Sequence, residues 1–540
     1  MISAVSQAPE SRPSCFGPFW IVLTISAGLW LILFAIFPPA VQNFPLIDDW
    51  AFSRGAAVFA RGGGIRYFHW AAMPQVGQWL WAWPFVEGFG ESYVVFRVST
   101  IVLSWLGLWA FYDLCGRRLG SARSAAIAAL GLALCPLFFM LSGTFMTDVP
   151  SLAFALIAID FYDRVLAGGR YLELVLATIV AVLGITTRHN LVVLPAVALT
   201  MWVLHPNRFH RWAYLASLIV PGIAAWYLWT WFKGRTDIHS TDVRSEWTNW
   251  KYLLIMCYHV LHLSGLAALP VWLVDPRPRA PKAFVLGLVG MTGMAYWLWA
   301  GQGYLWYSGW FPAVDGLITA CGTYSPIQYI GPRPIVLSEP TRIALTMAGC
   351  IGAGAIIDRI ADQMLGRSVP AGPLVLFAVT QLPVVILPFY VYDRYFLPFI
   401  PAAIVLCAPS QSWSRAYYRL VPIGLYGLVC LALMHDWLAW NSALWGLGRE
   451  AVHAGVQPLD IEGGLEWNGT HWLDAGCPSQ PVEAGPFRLE RTTSQYFPGV
   501  RGQQGLAFEP PEHSTIRAQR PYSQWLLPGE HRLYWVAAAK

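Results

Sequence analysis

The stretch Phe44-Pro45-Leu46-Ile47-Asp48-Asp49-Trp50 decides how the rest of the chain is read, because it follows an apolar run from about Phe16 to Phe37. Adjacent carboxylates at the mouth of a membrane helix are costly beside hydrocarbon and are usually kept for chemistry or for a cation. The run before them is too long for a signal-peptide core and has no small-residue cleavage site after it, so it reads as a retained first helix.

The composition agrees with a membrane setting. Of 540 residues, 56% are hydrophobic and only 12% charged, with 29 Trp and a mean hydropathy of +0.48, a balance that water cannot solvate as an ordinary globule. The formal charge of +5 is small and its basic residues cluster in short loops, which excludes a nucleic-acid partner and makes them reporters of topology. The nine cysteines form no C-x-x-C pair and no ligand spacing, so neither a metal knuckle nor a disulfide framework is indicated. A bridge between Cys321 and Cys477, both outside by the topology below, is chemically possible but not implied.

Taking apolar runs of about 18 residues or more as spans predicts about thirteen helices with the N-terminus in the cytoplasm. Every second loop is basic: Arg117, Arg118 and Arg123, then Arg164 and Arg170, Arg208 and Arg211, Arg277, Arg279 and Lys282, Arg359 and Arg367, Arg415 and Arg419. Two loops assigned outside, 186–190 and 390–395, nonetheless hold Arg188 and Arg394 against the positive-inside bias. In the first outer loop, 38–92, Trp79, Trp81 and Trp83 alternate along Gln78–Phe89, which predicts short helices lying in the membrane interface. Gly62-Gly63-Gly64 reads as a hinge between them rather than a phosphate cradle.

The expected fold class is thus a multi-span α-helical membrane protein. Its transmembrane domain covers residues 1–437, and a C-terminal soluble domain of mixed α/β or β-rich character covers 438–540. Runs such as Pro486–Glu490, Trp525–Leu527 and His531–Val536 read as strands. An odd helix count places this domain outside.

In order along the chain, the motifs resemble those of C-type glycosyltransferases that use polyprenyl-phosphate sugars, in particular the protein O-mannosyltransferases and the lipid A aminoarabinose transferase. Asp48-Asp49 corresponds to the family's Asp-Glu pair, and Asp148 in Phe145-Met146-Thr147-Asp148-Val149-Pro150 to a second carboxylate. Glu91–Arg97 corresponds to the opening of the second helix, and Asp393-Arg394-Tyr395-Phe396-Leu397-Pro398 to an Arg-Tyr-x-Leu-Pro segment. Two departures stand out. The family's Lys-Pro-Pro is Met73-Pro74-Gln75 here, losing a cation, and its Thr-Lys-Gly is Thr187-Arg188-His189, keeping one.

The resemblance implies a bacterial inner-membrane enzyme with a periplasmic active site, a polyprenyl-phosphate sugar donor and a lipid, glycan or protein acceptor among membrane lipids. Asp48, Asp49 and Asp148 are the candidate catalytic residues, Asp48 matching the Asp of the family pair. Desolvation would lift a carboxylate toward the pKa of a useful base. The plainer alternative is that the Asp pair and Asp148 cap helices. Arg188 and Arg394, with Tyr395, are the candidate donor-phosphate contacts, since a guanidinium fork donates paired charge-assisted bonds to phosphate. Their alternative is snorkelling to lipid headgroups. His189 and His69 are candidate ligand contacts.

No cofactor and no metal are expected, although a divalent ion between the carboxylates, as in the oligosaccharyltransferase relatives, is the alternative. His259 and His262 have a metal-like spacing without a third ligand and read as polar packing between helices. Glu466–Trp472 suits either a sugar or domain docking, with docking preferred, and Asn468-Gly469-Thr470 is formally a glycosylation sequon. The loop 301–340, rich in Tyr, Trp, Gly and Pro, is where acceptor selection is expected. Two further classes explain some of these features: a multi-span transporter, which usually shows inverted repeats and charge near mid-bilayer, and an inactive lipid-linked scaffold.

Overall fold

The computed structural model describes residues 16–68, 70–204, 211–233, 249–302, 316–323, 329–365, 372–388, 391–409, 417–478, 485–489 and 496–539. Among them, seven helices are long and apolar enough to cross a membrane. In the helical bounds these are α1 (Phe16–Ile36), α4 (Tyr93–Leu119), α10 (Arg211–Lys233), α11 (Trp250–Trp272), α12 (Pro281–Gln302), α13 (Glu339–Met364) and α17 (Val421–His453). The pair α5 (Ala122–Ala133) and α6 (Pro136–Ser142), bent by 66° where Pro136 removes a backbone donor, passes the same test only when the two are taken together, as a broken span or a re-entrant loop. Five further runs are shorter or more polar. They are α7 (Asp148–Leu166), α8 (Tyr171–Thr187), the 3-10 turn His189–Val193 with α9 (Leu194–Leu204), α14 (Gly372–Thr380) with α15 (Leu382–Ile386), and the 3-10 turn Asp393–Phe399 with α16 (Ile400–Cys407). By length and composition the described residues thus hold seven candidate spans, or eight with the bent pair, and the chain is a multi-span helical integral membrane protein.

Local chemistry explains where these runs start and stop. The Ser92 hydroxyl accepts the Val95 N–H at 3.1 Å at the head of α4, and Arg117 and Arg118 with a left-handed Gly120 close its other end. There the basic loops are tied down: Arg117 pairs with Asp160 at 2.6 Å and Asp163 at 3.0 Å, and Arg164 with Asp160 at 2.9 Å. The loop before α12 is fastened by its Arg279 N–H, which donates to the Asp358 carboxylate at 3.1 Å.

Helices α11 and α13 approach through small residues, as membrane helices do when packing rather than hydrophobicity drives them together. A Cβ added to Gly352 would lie 2.0 Å from the Gly265 carbonyl oxygen, and one on Gly265 would lie 2.3 Å from the Ala353 nitrogen. His262 belongs to this interface, its Nε2 lying 3.0 Å from the Thr346 carbonyl oxygen and its ring stacked on Tyr258. No group of three or more His, Cys, Asp or Glu placed to hold a metal occurs among the described residues.

The first loop holds α2 (Asp49–Ala60) and α3 (Val76–Phe89), separated by left-handed Gly62 and Gly64. At the other end of the chain, α17 continues well past Trp437 before a sheet forms. β3 (Ile461–Glu462) runs parallel to β4 (Gln504–Ala507), which pairs antiparallel with β6 (Glu530–Ala538) and this in turn with β5 (Ser514–Ser523), giving the order β3-β4-β6-β5. β1 (Ile318–Thr319) and β2 (Gly322–Thr323) form a separate small hairpin, and α18 (Gly464–Asp474) packs on α2.

Two runs expected as strands are not. Trp525–Leu527 is a bend because its amides are taken by a helix: Trp525 and Leu526 N–H donate to the Asp436 carboxylate at 2.6 and 3.1 Å. Residues 485–489 form a turn tied to the 501–502 segment. Cys321 and Cys477 are free. Asn468 is buried with its amide on Glu462 at 2.6 Å, so the sequon offers no acceptor.

Because no atom can be added between α11 and α13, Gly265→Val should destabilise the bundle by about 1–3 kcal/mol. A lowered unfolding midpoint in detergent is the measurement, and Gly290→Val on α12, where a Cβ meets nothing within 4 Å, is the matched control.

Candidate active site

Asp48 stands at the entry to α2 but makes no side-chain cap bond. Instead its Oδ1 accepts the Trp70 indole N–H at 2.7 Å and its Oδ2 accepts from Arg394 at 3.5 Å. Burial pushes the Asp48 carboxyl above its ordinary 3.8, and nearby Asp148 adds to that, while Arg394 and Trp70 pull the other way.

Asp49 is committed differently. It is 1% exposed, with Oδ1 accepting the Phe145 N–H at 2.8 Å and Oδ2 the Leu46 N–H at 3.3 Å. It therefore staples the loop before α7 to the loop before α2. Burial pushes its carboxyl up to about 7 against the pull of Arg97 and these two amides.

Asp148 lies in the first turn of α7, one residue inside the Thr147 cap position. Its Oδ1 pairs with Arg188, which also reaches the Thr147 hydroxyl at 3.3 Å, and its buried Oδ2 has no hydrogen-bond partner. Arg188 caps the end of α8 and lies over the Tyr395 ring at 5.3 Å. Arg394 lies 6.0 Å from the same ring and 4.6 Å from that of Tyr392. Five of the residues singled out from sequence, Asp48, Asp148, Arg188, Arg394 and Tyr395, therefore meet at one end of the bundle. Neither guanidinium snorkels away to the lipid surface.

The structure does not pair Asp49 with either guanidinium. His189 follows Arg188 directly, with its buried Nδ1 unpartnered. His69 lies outside the described residues.

Four residues around this cluster were not among the candidate site residues. Trp70 supplies the donor to Asp48 and is itself walled by Tyr496 and Phe497, with ring centroids at 4.8 and 5.9 Å. Arg97, fully buried, donates to the Gln42 and Phe44 carbonyls and so pins the segment leading to Asp48. Gln75 is 1% exposed in a left-handed conformation, its N–H on the Thr187 carbonyl at 3.0 Å, and neither amide atom of its side chain has a partner. Glu466, from α18, accepts the Ile47 N–H at 3.3 Å. Gln75 carried a signal as part of the departure from Lys-Pro-Pro, Arg97 as the end of the second-helix motif and Glu466 at the head of the stretch expected to dock; Trp70 carried none.

The helical membrane bundle thus gathers two carboxylate–guanidinium pairs at one end. Residues 73–229, which hold Gln75, Arg97, Asp148 and Arg188, match the sequence model of the family described as dolichyl-phosphate-mannose-protein mannosyltransferase. The resemblance drawn from the motifs thus stands, and over that segment it is to a glycosyltransferase family. The comparison with curated proteins returns no match.

Among solved structures, that of ArnT from Cupriavidus metallidurans bound to undecaprenyl phosphate is 12% identical, covering 96% of this chain and 98% of that one at a TM-score of 0.47. The oligosaccharyltransferase AglB from Archaeoglobus fulgidus, in complex with an inhibitory peptide and a dolichol-phosphate, is 11% identical over 89% of this chain and 64% of that one, at 0.41. The arabinosyltransferase EmbB from Mycobacterium smegmatis is 12% identical over 84% and 45%, at 0.37.

The staple made by Asp49 has a measurable consequence. Asp49→Ala strips two buried amides of their acceptor and should cost about 1–3 kcal/mol of stability. With a folded pKa near 7 and an ordinary value of 3.8, Asp49 binds its proton more tightly when folded, so its contribution is full below 3.8 and is lost as pH rises towards 7. The fall in unfolding midpoint between about pH 5 and 8 should therefore be smaller in Asp49→Asn than in the parent chain.

Proposed function

We propose that this chain is an inverting glycosyltransferase that moves a hexosyl or pentosyl unit from a polyprenyl-phosphate carrier to a hydroxyl of a lipid, glycan or protein acceptor. The reaction takes place on the non-cytoplasmic face, in a bacterial inner membrane. The observation that carries the reading is the meeting of Asp48 with Arg394 and of Asp148 with Arg188 around the shared Tyr395 ring.

Each part has a task in such a transfer. The acceptor oxygen attacks the anomeric carbon from the face opposite the phosphate, its proton passes to Asp48, and the sugar–phosphate bond breaks with its electron pair on the leaving oxygen. Arg188 and Arg394 stabilise the charge that develops there, the kind of electrostatic preorganisation that supplies much of an enzyme's rate. A guanidinium has five N–H donors, so each Arg can hold a carboxylate with one edge and a phosphate oxygen with another. Asp148 holds Arg188 in place and presents its unpartnered Oδ2 to an acceptor hydroxyl. Burial raises the affinity of Asp48 for a proton above that of an ordinary carboxylate, the direction that suits a group taking the acceptor proton.

The test is transfer by the full-length protein, reconstituted with a polyprenyl-phosphate sugar. Asp48→Asn should lower kcat by about 10²–10⁴-fold. The wild-type acid limb should lie above the 3.8 of an ordinary Asp, activity falling as pH drops through the raised value. In Arg394→Ala that limb should move to higher pH, because the cation that pulls Asp48 down is gone, and the donor KM should rise. Full activity in Asp48→Asn would sink the reading.

A further inference from the structure

The residue before Asp48 is the least comfortable one in the site. Ile47 has φ of 56°, a left-handed conformation in which a β-branched side chain is a true outlier. Strain of this kind persists only where the surroundings over-determine it, and it collects at functional sites. Here the surroundings are identifiable. Ile47 is buried, and its N–H donates to Glu466 Oε1 at 3.3 Å. Glu466 is 2% exposed and its other oxygen accepts the Tyr329 hydroxyl at 2.6 Å.

Tyr329 is itself wedged between Trp440 and Phe508, at 5.3 and 5.7 Å, and the next residue, Ile330, bridges to Ala507 of β4. One turn beyond Glu466, Gly469 closes on the ring of the residue after Asp49, where a Cβ would sit 2.5 Å from Trp50. The acidic turn is thus clamped from the C-terminal side of the chain, more than four hundred residues away in sequence.

We propose that Glu466 is a positioning residue, which by accepting the Ile47 N–H holds the left-handed bend that aims Asp48 at Arg394. This rests on the reading of Asp48 as the group that takes the acceptor proton. Glu466 touches no reacting atom itself. Its carboxyl is pushed up to about 7 by burial against the pull of the Tyr329 hydroxyl, and in either ionisation state an Oε atom remains to accept from Ile47. A glutamine offers the same acceptor.

The experiment compares Glu466→Ala, Glu466→Gln and Asp48→Asn in the full chain, with kcat and donor KM measured separately and the folded fraction checked by unfolding midpoint. Loss of aim should lower kcat in Glu466→Ala by about 10²-fold, the scale of an ångström of misplacement, with donor KM little changed. Glu466→Gln should recover most of that loss. Equal losses in Ala and Gln, or an unchanged kcat in Ala while Asp48→Asn is inactive, would overturn the positioning role and leave the Asp48 reading intact. An active Asp48→Asn would instead defeat that reading. If Glu466→Ala does not fold, Glu466→Met decides: it fills similar space but offers Ile47 no oxygen, so a lower kcat at constant KM supports the role and an unchanged one overturns it.

Discussion

Charges taken out of water must be paired or they cost several kcal/mol each, and that constraint organises one end of this bundle. Asp48 and Asp148 are close enough to raise each other's cost, and both are buried. Each has its own guanidinium, and both guanidiniums lie near the Tyr395 ring. Arg394 reaches Asp48 at 3.5 Å, a longer contact than a committed charge-assisted bond. Separating the pair with nothing to replace either partner would leave an unpaired buried charge.

The pairing is useful only if loops far apart in sequence stay in place, and backbone amides are the means. Asp49 accepts Phe145 and Leu46, Arg97 donates to Gln42 and Phe44, and Glu466 accepts Ile47. Asp393, next to Arg394, accepts the Leu317 and Ile318 N–H groups at 2.8 and 3.1 Å and so ties the β1–β2 hairpin to the same end. The neighbouring acids thus divide their work: Asp48 faces side chains and Asp49 faces backbone, and likewise Arg394 faces the cluster while Asp393 faces the loop.

Much of this was legible in the amino-acid sequence, and the legible part shares a cause. Long apolar runs and alternating basic loops are local patterns, so the multi-span helical class and the runs themselves could be read directly. Arg188 and Arg394 were conspicuous because each breaks a local rule, and both meet a carboxylate. What could not be read depends on contacts between distant segments. Asp48 and Asp49 are alike in one dimension, and only the approach of Phe145 separates them. Trp525–Leu527 alternates like a strand, yet Asp436 on α17 takes its amides. Trp70 belonged to no motif, and Glu466–Trp472 was expected to dock without a target, because their partners, Asp48 and Ile47, lie 22 and 419 residues away.

Helix α17 is unbroken over 33 residues, about 50 Å at 1.5 Å per residue, where the hydrocarbon core of a bilayer is about 30 Å thick. Strand β5 lies along it, and Asp436 grips the loop after that strand. A rod of this kind transmits tilt and torque but does not fold at a hinge. The sheet it carries is therefore geared to the bundle like a mast to a hull: thinning or thickening of the surrounding bilayer that tips α17 would swing the sheet, and with it the α18 wall beside Trp50.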